Sequence, residues 1–444
     1  MGRLFGTDGV RGVAGTELTA DLALGLGRAA VLVLGRHGRG RPTFVVGRDT
    51  RESGGWLQDS LVEGICAAGG DAVIAGVLPT PAVAFLATTL GATSGVVISA
   101  SHNPASDNGI KFFAGDGLKL SDDLEDEIEA ALDDRDPPAA TTGHATILGE
   151  GEQRYLDHLV AATEVPLAGM TVVVDCANGS ASAVAPVVLR RLGATVHPIF
   201  DAPDGRNIND GCGALHPDVV AAEVVRLGAD AGVAHDGDAD RALFADAGGA
   251  VIDGDQVLAA CALALREQGR LPKDIMVTTV MANLGLHRAM EANGIHVLTT
   301  RVGDRYVAEE MRRTGAALGG EQSGHVIFAD HATTGDGLLT AVRFLSLAAR
   351  RGVTLADLAA TMRRFPQVME NVRVRDRGAL EDSDVIREAV AGAERDLGES
   401  GRVLVRSSGT EPMVRVMVEA ENEAAARTHA RAIADVVHAE IGAA

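Results

Sequence analysis

Short β-branched runs alternate with helically spaced apolar positions through the first three quarters of the chain. Residues 43–47, 72–77 and 95–99 are almost continuously apolar, as strands buried on both faces are. Residues 22–34, 55–68 and 124–132 repeat at helical spacing. The grammar recurs with strands expected at 171–175, 195–199 and 231–235, and again at 275–279, 296–300 and 315–318. Such alternation predicts βαβ units around mainly parallel sheets. After Pro366 it changes: strands at 368–374, 403–405 and 413–418 and helices at 384–397 and 424–441 suggest a partly antiparallel α+β unit. A polar, Pro-rich stretch at 133–149 is expected to be an exposed loop at a domain edge. These shifts divide the chain at 1–152, 153–254, 255–366 and 367–444.

Length agrees with that division, because 444 residues exceed what one hydrophobic core organises and correspond to roughly three or four domains. One Trp, two Tyr and ten Phe in a chain that is 46% hydrophobic leave the cores to Ala, Val and Leu. The 54 glycines suit many tight strand-to-helix turns. Sixty-one Asp and Glu against 40 Lys and Arg, a net charge of −21, with no basic run, argue against nucleic acid as a partner. An anionic substrate must then be captured by local arginines and backbone amides. Cys66, Cys176, Cys212 and Cys261 show no metal or redox spacing, and no run of about 18 apolar residues suggests a membrane span. A soluble, cytoplasmic protein is expected, with its oligomeric state unspecified.

Candidate chemistry gathers where strands end. The run Val97-Ile98-Ser99-Ala100-Ser101-His102-Asn103-Pro104 carries a strand into a small polar loop, which presents Ser101 to a cleft. The same residues are ordinary turn material. Lys111 is near enough in sequence to fold back over Ser101, and only Lys119 and Lys273 share its residue type. In Asp236-Gly237-Asp238-Ala239-Asp240-Arg241, alternate carboxylates can converge on one hard cation. An EF-hand is excluded by Arg241 at position 6 and Ala247 at position 12, which leaves a Mg²⁺ loop or a solvated acidic turn. Glu321-Gln322-Ser323-Gly324-His325 offers donors and acceptors for sugar hydroxyls, and Val302-Gly303-Asp304-Arg305-Tyr306 adds a Gly-Asp turn near Arg301. Arg406-Ser407-Ser408-Gly409-Thr410-Glu411-Pro412, with Arg415, is either a phosphate cradle or a strand-end turn. Asp8-Gly9 near the N-terminus reads as a hairpin turn, with Arg11 the one residue there that suggests chemistry.

Taken in order, these segments, together with Gly6-Thr7-Asp8-Gly9-Val10-Arg11-Gly12, resemble the motifs of the α-D-phosphohexomutase family over essentially the whole chain. The resemblance implies three similar α/β domains with mixed, mainly parallel sheets and a smaller, mobile α+β C-terminal domain, around a central active-site cleft. It implies that Ser101 is a phosphoserine and that Mg²⁺ is held by Asp236, Asp238, Asp240 and the phosphate on Ser101. Lys111, Arg11 and His102 become charge stabilisers or proton movers. Glu321, Ser323, His325 and Arg241 become sugar contacts, and Arg406, Ser408, Gly409, Thr410 and Arg415 hold the distal phosphate. The implied reaction converts a hexose 6-phosphate to its 1-phosphate through a 1,6-bisphosphate, with glucose or glucosamine 1,6-bisphosphate as activator. First loading of Ser101 would come from an activating kinase or autophosphorylation. Gln322, where phosphomannomutases commonly carry Met, and the 302–306 segment resemble the glucosamine branch, which serves UDP-N-acetylglucosamine and cell-wall precursor synthesis. A mannose or glucose phosphate mutase of the same fold is the alternative, and a metal-dependent phosphatase a remote one.

Overall fold

The computed structural model describes residues 3–6, 8–37, 40–133, 141–376, 378–408 and 412–443. Three sheets lie in one compact unit, Met1–Met281 with Ile295–Thr361. The first runs in the order Val10–Val13, Asp107–Ala114, Ser94–Ile98, Thr43–Arg48, Asp71–Val77, Ala145–Ile147. Its last four strands are parallel, and the first two join antiparallel. Helices Ala20–Leu34 and Gly54–Ala67 help fill its core, with Leu26, Leu57, Leu61 and Ile65 fully buried against Phe44 and Val46.

The second sheet has the order Val251–Ile252, Ala242–Asp246, Ala231–His235, Thr171–Asp175, Thr195–Ile199, and the third His296–Thr300, Ile275–Thr279, Leu318–Gly320, Val326–Phe328. Both have parallel centres and an antiparallel edge, so the three sheets are variations on one α/β plan. Strands 43–48, 71–77, 94–98, 171–175, 195–199 and 231–235 lie within a residue or so of the positions their apolar runs imply.

Two expectations shift. Gly315 has φ +76 and terminates helix Asp304–Thr314, so the strand expected at 315–318 begins instead at Leu318. Within 133–149, Ala145–Ile147 pairs in parallel with Asp71–Val77 as an exposed edge strand, because its backbone completes a ladder although its side chains bury nothing.

The second unit, Ala282–Gly294 with Met362–Ala444, contains a three-stranded antiparallel sheet ordered Gln367–Arg373, Met413–Ala420, Gly401–Ser407. Helices Asp384–Leu397 and Glu423–Ile441 cover it, burying Ile386, Leu397, Ile433 and Val437 against Val414, Val416 and Val418. Buried Glu419 accepts from Asn283 Nδ2 and the Leu284 amide, both at 3.0 Å, and pairs with Arg402. That tie attaches helix Leu284–Ala292 to this unit. No described helix is long and apolar enough to cross a membrane.

Candidate active site

Ser101 lies in the loop between strands Ser94–Ile98 and Asp107–Ala114, which are antiparallel neighbours with Val97 opposite Lys111. The register therefore returns Lys111 to the level at which the serine loop begins. The acidic loop is built alike: Asp236 to Arg241 joins antiparallel strands whose last pair is His235 with Ala242. Both loops carry a left-handed non-glycine residue, Ser101 at φ +52 and Ala239 at φ +57. Conformations of that kind persist where the surroundings over-determine them, and they concentrate at functional sites.

The two loops meet directly. Ser101 Oγ donates to Asp236 Oδ2 at 2.7 Å across 135 residues of sequence. Asp238 Oδ2 accepts from Thr80 Oγ1 at 2.6 Å and from Lys111 Nζ at 2.8 Å. Carboxylate oxygens of Asp236, Asp238 and Asp240 all lie within 4.8 Å of one another. Burial pushes the Asp236 carboxyl well above the usual range, and Asp240 and Asp238 push it further. Asp238 is held low despite burial, because Lys111 pairs with it. Asp238 Oδ1 and Asp240 Oδ1 are buried and accept no hydrogen bond from the protein. Oxygen donors alone, two of them without a hydrogen bond and all negatively charged when ionised, fit a hard divalent cation such as Mg²⁺.

Around this centre the carboxylates are linked in a chain through two lysines and His325. Lys111 Nζ is 3.1 Å from Asp8, which also pairs with Lys119 and Arg11. Lys119 reaches Asp304 at 2.6 Å, Asp304 faces His325 Nε2 at 3.7 Å, and His325 Nδ1 faces Asp240 at 3.5 Å. Two of the chain's three lysines are thus committed to this site. Burial opposes charge on His325, but Asp240, Asp304 and Glu321 outweigh it and push its pKa up to about 9. The Gly335 amide, however, donates to Nε2 at 3.0 Å, which requires a lone pair there. The amide is the stricter condition, since a doubly protonated ring would set two N–H groups against each other, so Nδ1 carries the proton toward Asp240.

His102 Nδ1 stands 3.3 Å from Ser101 Oγ. Burial, then Arg241 and Arg11, hold its pKa down at about 4. Arg241 donates its amide to Asp236 at 3.3 Å, and its guanidinium is 3.7 Å from Asp240. Glu321 accepts from the Gly303 amide at 3.2 Å, and the buried Ser323 hydroxyl has no protein partner. Arg305 serves a structural pair, bridging Glu125 and Asp122, and Arg301 stacks over Tyr306.

Arg406, Ser408 and Arg415 belong to the second unit, where Arg406 and Arg415 are directly opposite in the ladder. Burial and the facing Arg415 lower the Arg406 pKa. Gly409 and Thr410 lie outside the described residues. Motif reading missed Thr80, Lys119, Arg51 and Asn209, and it passed over Asp8 as turn material. The scarcity of lysine marked Lys119, and the polar Asp49-Thr50-Arg51 after strand Thr43–Arg48 carried the same strand-end signal as the serine loop.

Models of four phosphoglucomutase/phosphomannomutase domains match the chain in sequence order: α/β/α domain I at residues 2–138, domain II at 153–249, domain III at 253–365 and the C-terminal domain at 369–436. The chain belongs to the phosphoglucomutase/phosphomannomutase family. Within it, the chain is 55% identical over 455 residues to phosphoglucosamine mutase of Frankia alni, covering all of both chains. It is 52% identical over 442 residues to phosphoglucosamine mutase of Desulforamulus reducens, covering 98% of this chain and 99% of that one. A crystal structure of a phosphoglucomutase/phosphomannomutase family protein from Burkholderia thailandensis superposes with a TM-score of 0.84 at 28% identity, over 99% of this chain and 97% of the other.

Proposed function

We propose that this phosphohexomutase interconverts glucosamine 6-phosphate and glucosamine 1-phosphate, with Ser101 as the phosphoryl carrier. The observation that carries the reading is the 2.7 Å contact between Ser101 Oγ and Asp236 of the acidic loop. The amino-sugar substrate rests on full-length relatives that are named phosphoglucosamine mutase.

In the forward direction the P–Oγ bond of phosphorylated Ser101 breaks, a P–O bond forms to the sugar 1-hydroxyl, and the proton of that hydroxyl passes to Oγ. The resulting 1,6-bisphosphate turns over. Ser101 Oγ then takes the 6-phosphoryl group, which breaks the P–O6 bond, passes the Oγ proton to O6 and releases glucosamine 1-phosphate. Mg²⁺ held by Asp236, Asp238 and Asp240 would neutralise phosphate charge and orient one phosphate oxygen. His102, neutral at pH 7 with its pKa near 4, suits proton movement beside Oγ. Lys111, held charged by Asp238 and Asp8 against burial, suits stabilisation of phosphoryl charge. The orphaned Ser323 hydroxyl, with Glu321 and His325, suits the sugar hydroxyls, and Arg406, Ser408 and Arg415 suit a phosphate. An intermediate that must rotate can also escape, which makes added glucosamine or glucose 1,6-bisphosphate an activator that reloads Ser101.

Intact-mass measurement of the purified protein, followed by mutase assays with and without Mg²⁺, tests the reading. One phosphoryl group on Ser101 and Mg²⁺-dependent conversion are expected, with glucosamine 6-phosphate preferred over mannose and glucose 6-phosphates by at least about tenfold in kcat/KM. A preference for a neutral sugar phosphate rejects the glucosamine assignment, and phosphate release at the mutase rate rejects the mutase.

A further inference from the structure

The serine loop is braced by two side chains that the proposed chemistry does not use. Arg51 is wholly buried. Its Nε donates to Asp49 at 2.9 Å, Nη1 to the carbonyls of Pro104 and, at 2.9 Å, Asp107, and Nη2 to those of Ser101 at 2.9 Å and Asn103 at 2.8 Å. Asn209, from the segment that follows strand Thr195–Ile199, donates its carboxamide to the same last two carbonyls, Ser101 at 2.9 Å and Asn103 at 3.1 Å. Asn209 is itself left-handed at φ +59 and is tied by its amide to the Ala177 carbonyl at 2.9 Å. Ser99 Oγ accepts from the Ser101 amide at 2.9 Å and donates to Asp49, the partner of Arg51. Gly237 of the acidic loop lies directly on this arrangement, for a Cβ there would be 2.6 Å from the Ser101 carbonyl and 2.8 Å from Asn209 Nδ2.

Donors gathered on one side of a loop decide which way its carbonyls face, and in a chain of L-residues that choice also sets the side-chain direction. We propose that Arg51 and Asn209 are positioning residues for phosphoryl transfer, clamping the carbonyls of Ser101 and Asn103 so that Ser101 keeps its left-handed backbone with Oγ aimed at Asp236. Arg51 supplies the charge-assisted bonds, and Asn209 couples them to the domain that carries the acidic loop. The inference rests on the phosphoryl-transfer reading given above.

Substitutions at Asn209 test it in the full-length, Mg²⁺-loaded protein. Asn209→Asp keeps size and tolerance of left-handed backbone but replaces the donor with an acceptor, and Asn209→Gly keeps the backbone freedom with no donor. Phosphoryl transfer from Ser101-phosphorylated protein to glucosamine 6-phosphate is followed in a single turnover, with KM and melting temperature measured alongside. Asn209→Asp is expected to slow transfer by about 10²-fold and Asn209→Gly by about tenfold, because small misplacement of a reacting atom is costly. KM should stay within about twofold of the unsubstituted value. Arg51→Lys, which cannot span these carbonyls, should slow transfer as well. Transfer at the unsubstituted rate in both Asn209 variants overturns the clamp, as does a loss fully explained by a smaller folded fraction; these variants decide the matter even where Arg51→Lys does not fold. Failure of the phosphorylated, unsubstituted protein to transfer at all rejects the underlying phosphoryl-transfer reading instead.

Discussion

Lys119 Nζ lies 2.6 Å from Asp304 Oδ2, so a residue just beyond the serine-bearing sheet is paired with the first residue of helix Asp304–Thr314. Asp8 holds the opposite side of the same ammonium. Lys119→Met should therefore leave two mostly buried carboxylates facing each other. A loss of about 2 kcal/mol is expected in chemical denaturation, on the low side for a buried pair because neither carboxylate is fully desolvated. Lys119→Met with Asp304→Asn should be more stable than Lys119→Met alone, and equal losses would count against the pairing.

The acidic trio should trade stability for metal binding. Asp236 has a raised folded-state pKa through burial and its carboxylate neighbours. At this group the metal-free folded protein binds more protons than the unfolded chain above about pH 4, so the contribution of Asp236 to stability falls as pH rises from there. Asp175 and Asp336, each raised to about 6 mainly by burial, contribute with the same sign but are exhausted near that pH. Asp236→Asn should raise the melting temperature of the metal-free protein at pH 7, flatten its decline above pH 6, and abolish Mg²⁺-dependent turnover. An unchanged pH profile of melting would show that Asp236 is not the strained group.

Gly335 allows His325 its place. A Cβ at Gly335 would stand 2.3 Å from His325 Nε2. Gly335→Ala should displace the ring from Asp240 and Asp304 and raise KM for the sugar phosphate, with an overpacking cost of about 1–3 kcal/mol. Steady-state kinetics should separate this KM effect from the kcat effect of Asn209 variants.

The facing pair Arg406 and Arg415 suits an anion. Arg415→Met should raise KM for glucosamine 6-phosphate roughly tenfold to a hundredfold, the equivalent of a charged hydrogen bond of about 1.5–3 kcal/mol. Inorganic phosphate should inhibit the variant more weakly than the unsubstituted protein, and equal inhibition would move the phosphate contact elsewhere.

Much of the α/β plan was legible because parallel strands buried on both faces are written as unbroken apolar runs; 171–175 and 231–235 are such cases. Leu318–Gly320 was misplaced because Ala316 and Ala317 prolong the apolar run after the helix-ending Gly315, so hydropathy alone marks no strand start. The short edge strands Val10–Val13 and Ala145–Ile147 owe their existence to backbone partners far away in sequence, which local pattern does not record.

Ser101 and the Asp236, Asp238 and Asp240 trio stood out because each motif is compact: a few side chains of one chemistry at the end of one strand suffice to mark it. The amino-acid order thereby determined the α/β class, the position of each loop and the kinds of groups it offers. Only tertiary structure decided that Asp8, apparently turn material, would serve Lys111 and Lys119, that a neutral His325 would face Asp240, and that Arg51 and Asn209 would share two carbonyls of the serine loop. Those relationships join residues up to 158 positions apart, and they arise from burial, which makes each charge and each carbonyl require a partner that local sequence cannot name.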